Sequence, residues 1–326
     1  MNKETDAQHV AAERIGRQLG FETCREASIS TKGAISMPQS YQPRLDVLWS
    51  QRLTDEQRTA LKEAGDPPLR LHEGALPIAA WEIEGSDVST KGMQADLANI
   101  RTSGARFGFL AAKGGTKDNL FKRAVSLLGA QEFYAGTGRA IPLDARWLEK
   151  LALATFDSEH HTLTPKKSRG SGGEGDRANA IRTHLRKLGE GAGFVVQEDY
   201  GSGITKTERG PLTASRIDQV WLLPLPKGFA TLLEQIQARD KALGPLVALV
   251  LAQTTSIPVV AFEIENDAGK HGFGCLLNLA SHAMSGLFVP GNPATAAAAE
   301  AALRTYAQHY PLSSVSATRT LMSAQA

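Results

Sequence analysis

The chain has 326 residues, of which 42% are hydrophobic and 21% are charged, and these values are typical of a globular protein. They exclude a fully disordered or collagen-like chain, and the length suggests two domains at roughly 100–200 residues each. The two cysteines, Cys24 and Cys275, exclude a disulfide scaffold and a cysteine-rich zinc site. Because there is no apolar run of about 18 residues and the first residues are polar, we expect no membrane span, no secretory signal and a cytoplasmic location.

The net charge of +2 hides an uneven distribution. Residues 1–100 carry −4, residues 101–187 carry +8 and residues 188–326 carry −2. A basic middle between acidic flanks permits a phosphate-facing surface, and a solvated linker rich in Lys and Arg explains the same pattern.

The first predicted element is an amphipathic helix over Ala7–Leu19, which Gly20 would end. The second half opens in the same way, with a helix over Arg177–Leu188 followed by Gly189. Between the halves lies Pro165–Gly175, which is charged and rich in Gly and Ser, as is typical of a linker. The shared opening indicates an internal repeat.

The next predicted strands are centred on one aspartate each, Asp46 within Arg44–Trp49 and Asp218 within Arg216–Trp221. Apolar residues alternate about each aspartate, as they do in a half-buried strand. The tryptophans of these strands, together with Trp81, are predicted to pack in the core rather than to stack on bases.

Two further strands are apolar and end in paired glutamates, over Pro77–Glu84 and Pro258–Glu265. Such runs are typical of central, buried strands. Each leads into a helix that contains an Asn-apolar pair and then into a short strand. We expect Asn99 and Asn278 to form hydrogen bonds within their own helices, a phosphate or base contact being the alternative.

The separations of corresponding residues are nearly constant, at 172, 181 and 179 positions for the aspartates, the first glutamates and the asparagines. We therefore predict an α/β fold with two tandem domains, at 1–155 and 176–326, joined by a linker at 156–175. Each domain is expected to have a mixed central sheet flanked by helices.

The paired glutamates carry the clearest chemical signal. Glu82 and Glu84 are two positions apart on a strand, so both point to one face, and Asp46 joins them if the strands pair. Clustered carboxylates repel one another unless raised pKa values or a cation compensate, and hard oxygen ligands suit Mg²⁺, Mn²⁺ or Ca²⁺. Salt bridges at the sheet end are the alternative, but the recurrence favours a metal or phosphate-chemistry site. The second copy repeats the pattern with Asp218, Glu263 and Glu265.

With these residues the sequence resembles the PD-(D/E)xK family, the restriction-endonuclease-like nucleases. The resemblance covers most of both halves by element order, and its residue signature is short. It implies an α-β-β-β-α-β core with an Asp on the second strand and (D/E)xK on the third. It also implies that two carboxylate sets hold Mg²⁺, or alternatively Mn²⁺: Asp46, Glu82 and Glu84 in the first copy, and Asp218, Glu263 and Glu265 in the second.

The sequence departs from the family pattern at the lysine, which is replaced by Glu84 and Glu265. A minority of restriction enzymes carry Glu there, and in other members the Lys has moved to the following helix. Lys91 and Lys270 are the candidates for that role, which is to orient water and stabilise negative charge. A solvated loop lysine is the alternative for each. If neither serves, catalysis rests on the metal alone or is lost.

The resemblance implies a metal-dependent endonuclease for double-stranded DNA, with one site per strand in a single-chain pseudo-dimer. It also implies a bacterial restriction, defence or repair setting, with a methyltransferase or defence complex as partner. The alternative is a nucleic-acid-binding or scaffold protein with one or both sites inactive. Cleavage of RNA or branched DNA stays open. Specificity is expected from the inserts Gln51–Gly74 and Leu222–Ser256.

Overall fold

The computed structural model describes thirteen segments of the chain. They are residues 3–28, 44–84, 89–113, 121–122, 124–126, 140–165, 176–201, 216–239, 254–265, 275–276, 279, 283–309 and 315–317.

The first half forms a five-stranded mixed sheet in the order β1-β2-β3-β4-β5. Strands β1, β2 and β3 pair antiparallel, whereas β3, β4 and β5 pair parallel. The elements in chain order are α1 (Lys3–Gln18), β1 (Glu22–Ser28), β2 (Arg44–Arg52), α2 (Asp55–Glu63), β3 (Ala75–Glu84), α3 (Thr90–Thr102), β4 (Phe107–Ala112), β5 (Ala140–Asp144) and α4 (Leu148–Ala152).

The second half repeats this topology in the strand order β6-β7-β8-β9-β10, again with two antiparallel pairings followed by two parallel ones. The prediction of a mixed α/β protein with two sheets flanked by helices is confirmed. The elements are α5 (Asp176–Gly191), β6 (Val195–Gly201), β7 (Arg216–Pro224), α6 (Lys227–Arg239), β8 (Ser256–Glu265), β9 (Ser285–Pro290), α7 (Pro293–His309) and β10 (Val315–Ala317).

The opening helix of the second half ends later than the sequence pattern predicts. The prediction that Gly189 ends it is wrong, because α5 continues to Gly191 and the turn is made by Gly193, whose φ is 83°. Gly20, with a φ of 85°, is the counterpart of Gly193. Gly189 corresponds instead to Gly16, and a Cβ at either position would lie 2.6–2.7 Å from the indole of its own half's second-strand tryptophan. Glycine therefore permits close packing of helix on strand.

The tryptophans of the central strands lie in the core. Trp49, Trp81 and Trp221 are fully buried, which confirms the prediction. In the first sheet, Trp81 stacks on Phe109 with ring centroids 4.1 Å apart. Leucine, methionine and isoleucine side chains of α3 pack in a second apolar cluster with residues of β2, β3 and β4. The central strands β3 and β4 are thus buried on both faces, as is typical of parallel strands between two layers.

The chain divides into two compact units, and each unit includes the helix that follows the second strand of the other half. Unit 1 comprises Met1–Arg52, Arg70–His161 and Leu225–Thr255, and the remaining residues form unit 2. These units differ from the predicted halves, since α6 belongs to unit 1 and α2 to unit 2. Phe229 of α6 lies against Phe107 of β4, with centroids 4.7 Å apart. The predicted specificity inserts therefore supply core helices.

No helix in the described part of the chain combines the length and apolarity needed to cross a membrane.

Candidate functional site

The paired glutamates lie at the carboxyl end of β3 in unit 1. Every residue of β3 is buried, and Glu82 and Glu84 are only 4% and 8% exposed. Strands β2 and β4 flank β3 on either side, so the glutamates lie at a central strand rather than at a solvated sheet edge. This position denies both carboxyl groups most of their hydration.

Asp46 of β2 lies beside the same strand end. Its Oδ2 accepts a hydrogen bond of 2.6 Å from the backbone N–H of Ile83, between the two glutamates. A strand-to-strand contact of this kind fixes the aspartate next to the glutamates without neutralising any of them.

Helix α3 contributes two further side chains. The Nδ2 of Asn99 donates to Oε1 of Glu82 at 3.1 Å and to the carbonyl oxygen of Arg44 at 3.3 Å. The amide nitrogen of this asparagine therefore bonds to groups of the strands, and not within its helix as predicted. Asp96, three residues earlier, is on the same side of the helix and interacts with Glu84.

These carboxyl groups strongly perturb one another. Burial, followed by the charges of Asp46 and Asp96, raises the pKa of Glu82 to about 10, although the Asn99 amide opposes this shift. Burial, a hydrogen bond to Asp96 and the nearby acids raise the pKa of Glu84 to about 9. Burial also raises the pKa of Asp96. Two buried glutamates and two partly exposed aspartates thus lie together.

Sequence reasoning missed two residues of this cluster, His9 and Asp96. His9 of α1 is 3% exposed, and its Nε2 lies 3.7 Å from Oδ1 of Asp46. Within the described residues this nitrogen has no hydrogen-bond partner. Asp96 was detectable as the residue one helical turn before Asn99, whereas His9 offered no signal beyond its place in an amphipathic helix.

Unit 2 keeps the same strand geometry. Oδ2 of Asp218 accepts a hydrogen bond of 2.7 Å from the backbone N–H of Ile264, as Asp46 does from Ile83. Glu263 and Glu265 occupy the end of β8, and Glu263 is 6% exposed. The second acidic triplet is thus assembled by the same contacts as the first.

The side chains around the second triplet differ. Arg182 of α5, at the position 173 residues after His9, donates from Nη2 to Oδ1 of Asp218 at 3.0 Å. Cys275 stands 179 residues after Asp96, and burial together with Glu263 and the other two acids raises the pKa of its thiol to about 12. A guanidinium and a neutral thiol therefore replace an imidazole and a carboxyl group.

Of the two candidate lysines, the structure describes only Lys91. Lys91 is exposed in the first turn of α3, just after Ser89, whose hydroxyl caps the helix. Lys270 lies outside the described residues, as does Asn278.

The donor chemistry of unit 1 fits a hard divalent cation. Carboxylates are the ligands preferred by Mg²⁺ and Mn²⁺, and two buried atoms beside them, Oδ2 of Asp96 and Nε2 of His9, have no hydrogen-bond partner in the described chain. The side chains as placed do not form a finished centre, because among the described residues no group of three His, Cys, Asp or Glu is arranged to hold a metal ion. Unit 2 fits less well, since Arg182 already supplies positive charge to Asp218.

The chain matches no protein-family model, no curated protein and no solved structure. The functional evidence is therefore the geometry of the site itself.

Proposed function

We propose that the chain is a metal-dependent endonuclease, similar to restriction endonucleases, whose working site is the carboxylate cluster of unit 1. The observation that carries the proposal is the convergence of acids from three elements, β2, β3 and α3, around two buried glutamates. Crowding buried acids costs stability, so a functional role best explains the cluster, and strongly raised carboxyl pKa values are typical of catalytic and metal sites.

Asp46, Glu82 and Glu84 would hold Mg²⁺ or Mn²⁺. A bound ion would supply a polarised water and would neutralise charge on a phosphodiester. The metal would also take the place of the protons that the glutamates retain, so binding would release protons.

The surrounding side chains have defined roles in this proposal. The backbone N–H of Ile83 holds Asp46 in place, and the amide of Asn99 orients Glu82. Lys91, exposed in the first turn of α3, is the candidate to orient the attacking water or to stabilise the developing charge. Lys270 keeps the same proposed role in unit 2.

Unit 2 is proposed as the weaker or inactive site. Arg182 forms an ion pair with Asp218, and a metal ligand must be free to give its charge to the ion. The cost of removing this pair would be added to the cost of binding a metal there. A single working site favours nicking of one strand over the paired cuts expected of a pseudo-dimer. It also favours, for unit 2, the alternative of a nucleic-acid-binding domain without catalysis.

Plasmid cleavage tests the proposal with a matched control in the same chain. Supercoiled plasmid is incubated with the protein and Mg²⁺ or Mn²⁺, with EDTA as the blank, for the wild type and for Glu82→Gln and Glu263→Gln. We expect nicked circles from the wild type and Glu263→Gln and none from Glu82→Gln. If the wild type gives linear product and each variant does not, both units have a working site.

The substrate panel extends to RNA, branched DNA and single-stranded DNA, since double-stranded DNA is proposed on the resemblance alone. If none of these is cut, and if Mg²⁺ and Mn²⁺ do not raise the melting temperature, the nuclease proposal is wrong. A methyltransferase or defence complex remains a proposed partner, to be sought by copurification.

A further inference from the structure

A second charged feature of unit 1 lies beyond the acidic cluster. We call it the cationic patch, and it consists of Arg146, Trp147, Lys150 and Arg239. The first two belong to the short 3₁₀ turn Ala145–Trp147 after β5, Lys150 belongs to α4, and Arg239 is the last residue of α6.

Two cations share one aromatic ring in this patch. The Nζ of Lys150 lies 4.3 Å from the centroid of the half-buried Trp147 ring, and the guanidinium carbon of Arg239 lies 4.5 Å from it. The ring attracts both through its electron-rich faces. In the part of the chain that the structure describes, neither cation forms an ion pair. The ring therefore holds two uncompensated positive charges near each other, an arrangement that an anion would stabilise.

Arg146 adds a third cation whose position is fixed. Its Nε donates to both carboxylate oxygens of Asp144, at 2.9 and 3.0 Å, while its side chain stays 56% exposed. A guanidinium held in this way from one side presents its remaining N–H groups outwards, as in sites that bind phosphate.

The sheet register places the patch beside the acidic cluster. Strands β3, β4 and β5 are parallel, and Glu84, Ala112 and Asp144 are register partners in one row at their carboxyl ends. Paired residues in a row point to the same face, and two strand spacings put Glu84 and Asp144 about 10 Å apart. At a rise of about 3.4 Å per nucleotide, this distance corresponds to about three nucleotides of one strand.

We infer that the cationic patch binds the phosphate backbone of a nucleic-acid strand. This strand passes along the carboxyl ends of β5, β4 and β3 to the acidic cluster. The inference rests on the proposed function for the identity of the substrate. Recognition is independent of base sequence, because both contacting groups are point or forked cations directed at phosphates. The role of Trp147 is to position these two cations beside its ring.

The salt dependence of binding tests the inference. A labelled single-stranded oligonucleotide is titrated in EDTA, by fluorescence anisotropy, between about 50 and 200 mM KCl. For Lys150→Gln/Arg239→Gln we expect about tenfold weaker binding, and a slope of log K against log salt that is smaller in magnitude by about 1.4, from two lost phosphate contacts. Trp147→Leu keeps both charges but no longer organises them, so we expect a severalfold loss with little change of slope.

The matched control is Arg17→Gln/Arg52→Gln, which removes the same charge near the other end of the strands, where β3 begins. Their side chains are 65% and 57% exposed, and Arg52 pairs with Ala75 at the start of β3. We expect its slope to equal that of the wild type. An unchanged slope in Lys150→Gln/Arg239→Gln, with an unchanged circular dichroism spectrum, would overturn the inference.

The outcomes separate this inference from the proposed function. If plasmid is cut but the patch variant binds with the wild-type slope, the patch inference is wrong and the nuclease proposal stands. If the patch variant loses slope but no substrate is cut with any metal, the patch is a binding surface and the nuclease proposal is wrong. If the wild type binds no nucleic acid, the inference is wrong.

Discussion

Units 1 and 2 share a backbone arrangement and differ in how their acidic triplets are compensated. In both, the aspartate of the second strand accepts a hydrogen bond from the backbone N–H between the paired glutamates. In unit 1 the helix position opposite this aspartate is His9, 3.7 Å away, and in unit 2 it is Arg182, at 3.0 Å. The comparison shows that the strands bring the acidic triplet together in both units. A single helix residue beside the aspartate, His9 or Arg182, determines whether a permanent positive charge lies next to it.

A neighbouring ion pair shows how the same two units treat a structural interaction. In unit 1, Glu13 of the helix pairs with Arg25 of the strand at 2.7 Å, and in unit 2, Arg186 of the helix pairs with Glu198 of the strand at 3.2 Å. The signs are reversed at corresponding positions, yet the pair is neutral in both. A cation thus balances the acid where the pair supports the fold, whereas in the described part of the chain no lysine or arginine forms an ion pair with the four acids of unit 1.

The largest expected effect is a loss of cleavage when the first glutamate of the unit 1 triplet is replaced. Glu82→Gln should lower metal-dependent cleavage by more than about 100-fold, because it removes a charged ligand, while Glu263→Gln should lower it by less than about threefold. In EDTA at neutral pH, Glu82→Gln should also raise the melting temperature, since folding no longer requires the uptake of a proton by this buried carboxyl group. Cleavage assays and calorimetry measure the two effects. Equal losses in the two variants would contradict the asymmetry.

The pH dependence of stability probes the same acids without substrate. The pKa values of Glu82 and Glu84, about 10 and about 9, exceed the ordinary value of 4.5, so the folded state binds more protons than the unfolded state over this range. Stability falls with rising pH wherever the folded state holds more protons. The melting temperature of the metal-free protein should therefore decrease from about pH 5 to about pH 9.

Glu82→Gln/Glu84→Gln is the control for this slope and should flatten it. Added Mn²⁺ should reduce the decrease, because the ion competes better as protons leave. A melting temperature that rises with pH in EDTA, and equally in the control variant, would count against the assigned protonation.

Arg182→Ala breaks the compensation in unit 2. The partly buried Asp218 would lose its buried cation, so we expect a loss of about 2 kcal/mol in the free energy of unfolding. Mn²⁺ should recover part of this loss, since the triplet then resembles that of unit 1. His9→Ala is the matched variant and should cost only about 1 kcal/mol. Denaturant titrations with and without Mn²⁺ give both values, and equal losses would show that Arg182 does not neutralise the site.

The smallest expected effect is on stability, and it tests the ion pair between Arg186 and Glu198 in unit 2. Arg186→Glu should destabilise the fold by about 1–2 kcal/mol, because it places a second acid against Glu198. Adding Glu198→Arg should recover most of the loss by recreating the sign found in unit 1. A double-mutant cycle from urea unfolding measures the coupling, and a coupling near zero would mean that the pair does not support the fold.

Local patterns in the sequence determined much of this protein. The alternation around Asp46 and Asp218 and the apolar runs ending in paired glutamates predicted the central strands, because strand periodicity depends on neighbouring residues alone. The near-constant separation between the halves predicted two similar mixed sheets. The burial of the tryptophans followed from their places on those strands.

The tertiary structure decided what these patterns leave open. Whether α6 completes the unit of its own half depends on packing between distant segments, such as Phe229 on Phe107. The roles of His9, Asp96 and Arg182 depend on the rotation and length of helices that pack far along the chain from their partners, and no local periodicity encodes those quantities. The sequence thus determined where the acids lie, and only the packing of helices on the sheets decided which cluster is neutralised.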